Sequence, residues 1–426
     1  MPVQPSTSCP HGSITYTPSR HATLVNYTQL TQKERENACK PFPPARASPT
    51  RTDIQNFPAP LILPDDELAL DPEYPPQSFQ EWYDEEERNP ISHGVAFMAG
   101  WSKPHLKPPA PNRKDIEKPE IGDVVEYLKA FFHGPSLAVK ELKIPSWKFT
   151  PWTEDEAPAA KRPRKTKSEA AKQTEFIGVS TSKESIRIRT RPSPTPSPGN
   201  LYTNQLNLDD LLDVAISILP KDAYALCMLV DQDLYEDEDD LFVCGRAYGG
   251  SRVAVVSTAR YHPSLDKEQG VERGHAWPGS HCSSYIEQMC QGPKKAKSTA
   301  RKSQTAMKEK HRDSPLESAM RIFSSSQACD EPNEGSLWLY RTVRTVSHEL
   351  SHCLGLDHCV YYACIMQGSA SVAEDARQPP YLCPVDLAKV LAATGSTVGE
   401  RERALLEFCE GERNLGISGA YNEMGT

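Results

Sequence analysis

No apolar run in the 426-residue chain approaches the roughly 20 residues that a membrane-crossing helix needs, so no membrane partner is expected. Residues 1–50 lack the basic-then-apolar order of an export signal, which points to the cytoplasm, the nucleus or both. Positive charge is not in surplus. Forty-eight Lys and Arg face 57 Asp and Glu, a net charge of −9, and no nucleic-acid partner is expected. Internal repeats are missing, which sets aside solenoids and propellers. Twelve cysteines without an export signal suggest a reducing compartment and metal binding rather than a disulfide framework. Uniform order is lacking too: 38 prolines and a mean hydropathy of −0.58 are too polar for one compact unit throughout.

What is present is concentrated in residues 346–366, V-S-H-E-L-S-H-C-L-G-L-D-H-C-V-Y-Y-A-C-I-M. Leu350 and Leu354 are four apart, a helical spacing, and so are His348 and His352. On a helix both imidazoles therefore project from one face and can share one small cation. Glu349 lies beside the first, placed to reach a water on that cation without ligating it. Gly355 lets the chain leave the helix through a left-handed turn. His358 follows three residues later and can swing back as a third nitrogen ligand. Three neutral imidazoles and an open fourth position describe a catalytic zinc site, where bound water is acidified toward neutrality.

The pattern HExxHxxGxxH resembles the metzincin zinc signature. Its continuation, H-C-x4-C-x-M through Cys359, Cys364 and Met366, resembles the archaemetzincin family, whose pattern ends in a C-x-x-C pair further on. Here Cys383 stands sixteen residues after the methionine, and the last cysteine position holds Asp386. The resemblance implies a zinc metallopeptidase acting on peptides or proteins and releasing N-terminal residues. It implies a catalytic Zn2+ on His348, His352 and His358, with Glu349 as general base and Met366 in a turn beneath the metal. It also implies a second, structural Zn2+ held by Cys359, Cys364 and Cys383. The fourth corner falls to Asp386, a harder ligand than a thiolate, or to Cys353 or Cys409, or the site has decayed. Tyr361 or Tyr362 is a candidate donor to the oxyanion. The alternative reading is a zinc-binding interaction protein with little or no catalysis; the intact Glu349 argues against it, because a purely structural three-histidine site needs no general base.

The expected fold is mixed α/β and metzincin-like: a twisted sheet, a long active-site helix at 336–353, and C-terminal helices. The sheet is backed by that helix and by a helix starting at residue 208. Residues 1–51, rich in Ser, Thr and Pro, read as a disordered leader. Residues 52–150 form an extension packing on or joining the catalytic domain, with helices at 78–88 and 121–132 and strands at 95–101 and 137–147. Residues 151–206 are basic and Pro-rich linkers around one strand at 176–190. The run at 161–167 matches the Lys/Arg clusters read by an import receptor or an acidic partner. The catalytic domain spans 207–412, with strands at 223–230, 241–248 and 252–257 and an acidic turn at 236–240. Inside it, 263–315 is an insertion read as a disordered loop, although it contains His275, His281, Cys282 and Cys290. Helices follow at 316–324, 384–394 and 398–409, the last with Arg401 and Arg403 exposed, and 413–426 is a polar tail.

Overall fold

The computed structural model describes residues 13–40, 56–93, 97–100, 116–144, 148–152, 175–180, 185–195, 201–291, 314–326 and 333–411. The basic run 161–167, the Lys/Arg-rich residues 294–312 within the insertion and the tail 413–426 lie outside the described residues. Over the described residues the molecule is a mixed α/β fold around two five-stranded sheets. In chain order the strands are β1 (Phe97–Gly100), β2 (Ala138–Glu141), β3 (Lys148–Pro151), β4 (Glu175–Ser180), β5 (Ser185–Pro192), β6 (Asn204–Asn207), β7 (Leu226–Val230), β8 (Asp233–Tyr235), β9 (Gly245–Tyr248) and β10 (Val253–Ser257).

The first sheet runs β2-β1-β7-β10-β9, parallel except for the last strand, which pairs antiparallel with β10 and forms the sheet edge. Strands β7 and β10 are buried on both faces, as their unbroken apolar runs L-C-M-L-V and V-A-V-V require. Their side chains divide by the two-residue period of a strand. Cys227, Leu229, Ala254 and Val256 face the helix Glu334–Cys353 through Leu339, Val343, Val346 and Leu350. Leu226, Met228, Val253 and Val255 face the helix Leu208–Ile218 instead. The second sheet, β3-β4-β5-β6-β8, closes that side with Phe149, Val179, Ile188, Leu206 and Leu234. Thus the two helices expected to back the sheet do so, from opposite faces.

Four expectations differ. The segment 176–190 is not one strand but the antiparallel pair β4–β5, with Glu175 opposite Thr190. The leader is folded over residues 13–40, with helices Arg20–Leu24 and Gln32–Ala38. Both start at side-chain caps, Ser19 and the Thr31–Glu34 capping box, and Ala38 and Cys39 enter the main core. The insertion is ordered over 263–291, because Trp277 packs edge-on against Tyr381 and Ile14 bridges to Cys282. Its His275 stacks on Tyr285 at 4.0 Å, and Cys282 contacts Ser284 at 3.1 Å, so these residues serve packing. Arg401 is buried rather than exposed: its Nε donates to the Phe131 carbonyl at 2.8 Å while the guanidinium lies over the Phe131 ring. The acidic segment is a turn, as expected, closed by the Asp240 carboxylate accepting from the Glu236 and Asp237 amides. No helix of the described residues is long and apolar enough to cross a membrane.

Candidate metal centres

The helix Glu334–Cys353 begins where the Asn333 side chain caps the Gly335 amide and ends at Gly355, whose φ is +87°. A Cβ on Gly355 would lie 2.9 Å from the Arg88 carbonyl oxygen, so both the turn and the close approach require glycine. Gly355→Ala is expected to lower stability by roughly 1–3 kcal/mol, the cost of a strained left-handed residue, measured as a shift in denaturation midpoint at constant slope.

The last turns of this helix and the turn after it bring His348, His352 and His358 together, with one ligand atom from each within 4.8 Å of the others. Their second nitrogens are all occupied. His348 Nδ1 lies 2.7 Å from the Ile365 carbonyl, His352 Nδ1 2.6 Å from the Leu356 carbonyl, and His358 Nδ1 3.2 Å from Glu67 Oε1. Carbonyl and carboxylate oxygens only accept, so each Nδ1 carries the proton and each neutral ring keeps a bare lone pair on Nε2. Burial and the neighbouring imidazoles hold His348 well below the ordinary histidine range, and burial takes His352 down to about 3. Burial opposes the charged form of His358 too, but the hydrogen bond and charge of Glu67 outweigh it and raise its pKa. The His348 and His352 Nε2 atoms face each other at 2.9 Å. Two uncharged acceptors at that distance repel unless a cation sits between them, which is how the residues fit zinc.

Glu349, on the same helix, is buried, and its carboxylate accepts the Ala247 amide of edge strand β9. Burial raises its pKa to about 7. These groups line a cavity of about 550 Å³ between β9 (Gly245, Arg246, Ala247) and the segment holding Asp357 and His358.

Cys359, Cys364, Cys383 and Asp386 form a second group, fully buried, again with one ligand atom from each within 4.8 Å of the others. Cys359 Sγ is 3.5 Å from Cys383 Sγ, while Asp386 Oδ2 is 3.3 Å from Cys364 Sγ and 3.4 Å from Cys383 Sγ. Burial and the Cys359 charge push Asp386 up to about 7 against the pull of Lys389. Three thiols and a carboxyl packed together away from water cannot all ionise by themselves; a soft divalent cation is what would let them. Cys353 and Cys409 are buried elsewhere in the core and stand outside this group. Met366 is fully buried, and its carbonyl accepts the Cys359 amide at 2.7 Å. Among the described residues these are the two groups of metal-binding side chains; His275, His281, Cys282 and Cys290 form none.

Tyr361 and Tyr362 are a correction. Both are buried in the core and neither lines the cleft; the phenols that do are Tyr74 and Tyr261.

The larger surprise is the N-terminal segment 56–93, which grips the turn between His352 and His358. Trp82 Nε1 donates to the Leu354 carbonyl at 2.9 Å. Gln77 donates to the Gly355 carbonyl at 3.0 Å and accepts the Asp357 amide at 3.1 Å. Arg88 pairs with Asp357 at 3.0 Å, Glu67 holds His358, and the Tyr74 ring lies 5.6 Å from the His358 ring. Capping residue Ser78 with Glu81 was the readable signal for the helix Phe79–Asp84 inside this segment, but nothing local marks its partners.

A family model described as Peptidase family M54 matches residues 322–390. Human archaemetzincin-2 is 25% identical over 409 residues, covering 92% of this chain and 84% of its own length. Mouse archaemetzincin-2 is 42% identical over 81 residues, which are 19% of this chain and 23% of the mouse protein. The solved archaemetzincin of Methanopyrus kandleri is 16% identical with a TM-score of 0.33, covering 71% of this chain and 97% of that one. By these sequence matches the chain is similar to the archaemetzincins over most of its length, and to Peptidase family M54 over the stretch that carries the histidine and cysteine groups.

Proposed function

We propose that the chain hydrolyses peptide bonds with one zinc on His348, His352 and His358, Glu349 as general base, and a second, structural zinc on Cys359, Cys364, Cys383 and Asp386. The observation that carries this is the convergence of three bare Nε2 atoms whose Nδ1 protons are all committed elsewhere. A zinc held there would supply Lewis-acid activation of a water and of the scissile carbonyl. Glu349 accepts the water's proton and passes it to the leaving amine. Its raised pKa suits a group that must take a proton and give it up near neutrality, and a bound cation lowers that pKa again. The Ala247 amide fixes its carboxylate relative to β9. Among the described residues β9 pairs with β10 alone, so its outer edge can take an extended substrate backbone along the cleft.

Purified full-length protein, assayed on a peptide library with zinc, after chelation, and after zinc is restored, tests the activity. Matched peptides with free and blocked amino termini decide whether cleavage starts from the N-terminus, as the resemblance implies. Cleavage that survives complete zinc removal would overturn the reading.

Glu67 supports it by orienting His358. Replacing such a partner of a metal-ligating histidine weakens metal binding by roughly 10–100-fold. Glu67→Ala is therefore expected to lower zinc affinity within that range, and Glu67→Gln by less, because the amide oxygen still accepts the His358 proton. Equal affinity in all three proteins, by chelator competition, would show that Glu67 has no such part.

A further inference from the structure

Lys389 is 1% exposed, three residues along the same helix from Asp386, on an element whose exposed positions would be the ordinary place for a lysine. A buried ammonium is tolerated only when its protons have partners, and here there are three donors and three acceptors. Lys389 Nζ reaches Asp386 Oδ1 at 2.9 Å, the Gln77 carbonyl at 2.8 Å and Gln77 Oε1 at 2.9 Å. Asp386 thus divides its two oxygens. Oδ1 serves the ammonium, and Oδ2 is turned to the sulfurs of Cys364 and Cys383. Three thiolates and a carboxylate around a divalent cation leave an excess of negative charge in a dry site, which Lys389 partly offsets. The lysine is therefore the structural complement of the aspartate that stands at the fourth corner.

The same lysine connects the thiol group to the other centre. Gln77, which receives two of its three hydrogen bonds, is also bonded to Gly355 and Asp357 on either side of Leu356. Leu356 supplies the carbonyl that orients His352, and Asp357 precedes His358. Resting on the two-zinc reading above, we propose that Asp386, Lys389 and Gln77 form one polar tie. Through it a metal at the three-cysteine, one-aspartate site holds the turn presenting His352 and His358, so that filling the thiol site tightens metal binding at the histidine site. Lys389 and Gln77 are positioning residues in this scheme.

Full-length protein loaded with Co2+ tests it, because the two centres absorb differently. Sulfur-to-cobalt charge transfer reports the thiol site, and visible d–d bands, titrated against a chelator, report histidine-site affinity. Gln77→Met is expected to keep the sulfur bands while histidine-site affinity falls about tenfold, the low end of the effect of such outer partners. Asp386→Cys with Lys389→Met, which supplies a fourth thiolate and removes the ammonium, is expected to keep the sulfur bands and show the same fall. The double variant decides the matter alone if Gln77→Met does not fold. Histidine-site affinity unchanged in folded variants with intact sulfur bands would overturn the tie, leaving the two sites as separate binders. Absence of sulfur bands in the unaltered protein would instead remove the second metal site on which the tie rests.

Discussion

Glu349→Gln is expected to reduce peptide turnover by roughly 10²–10⁴-fold, the usual contribution of a positioned general base, with zinc content unchanged. The substitution is nearly isosteric, and the amide oxygen can still accept the Ala247 proton, so the helix and the three imidazoles should stay in place. What is lost is the ability to take a proton. Rates measured at saturating peptide, beside elemental analysis of the same preparation, separate a missing base from a missing metal. Full turnover in the variant would show that the water loses its proton to another group, and the mechanism proposed for this cleft would be wrong.

Trp82→Ala is expected to destabilise the fold by roughly 3–5 kcal/mol, the range for removing a fully buried large aromatic. Trp82 is 0% exposed within the main core and packs on Phe79, with ring centroids 5.6 Å apart. Its indole proton also satisfies the carbonyl of Leu354, the last residue before the glycine turn. The variant therefore leaves a cavity and an unpaired buried carbonyl at the point where the metal-binding turn leaves the helix. Denaturant unfolding should show the loss, and a fall in histidine-site zinc affinity should accompany it. A loss below about 1 kcal/mol would mean that the N-terminal segment merely lies on the domain instead of holding it together.

The two cases differ in how far the sequence announces them. His348, Glu349, His352, Gly355 and His358 are adjacent in the chain, and helical periodicity alone brings the two helix histidines to one face. Their convergence was legible for that reason. Strands β7 and β10 were legible because burial on both faces writes a continuous apolar run. Glu67, Tyr74, Gln77, Trp82 and Arg88 were not, since each meets its partner across some 270–290 residues of chain, with no period recording the meeting. The folded part of the leader had a readable sign, the Thr31–Glu34 capping box, obscured by the surrounding serines and prolines. In the ordered part of the insertion the helix Ser283–Gln291 had a readable period in Tyr285, Ile286, Met289 and Cys290, but the short 3-10 turns before it carry none, and Trp277 is buried by distant residues. Asp386 was marked by its position in a cysteine pattern. Lys389 was not, because a lysine three residues further along a helix ordinarily belongs to its wet face.

Zinc per chain, measured by elemental analysis on purified protein with Asp386→Ala analysed alongside, tests the central claim most directly. The account predicts two zinc ions in the unaltered chain, falling toward one in the variant as the thiol site loses its fourth ligand. One zinc in both would mean that Cys359, Cys364, Cys383 and Asp386 hold no metal. No zinc in either would contradict the reading of His348, His352 and His358 on which the whole account stands.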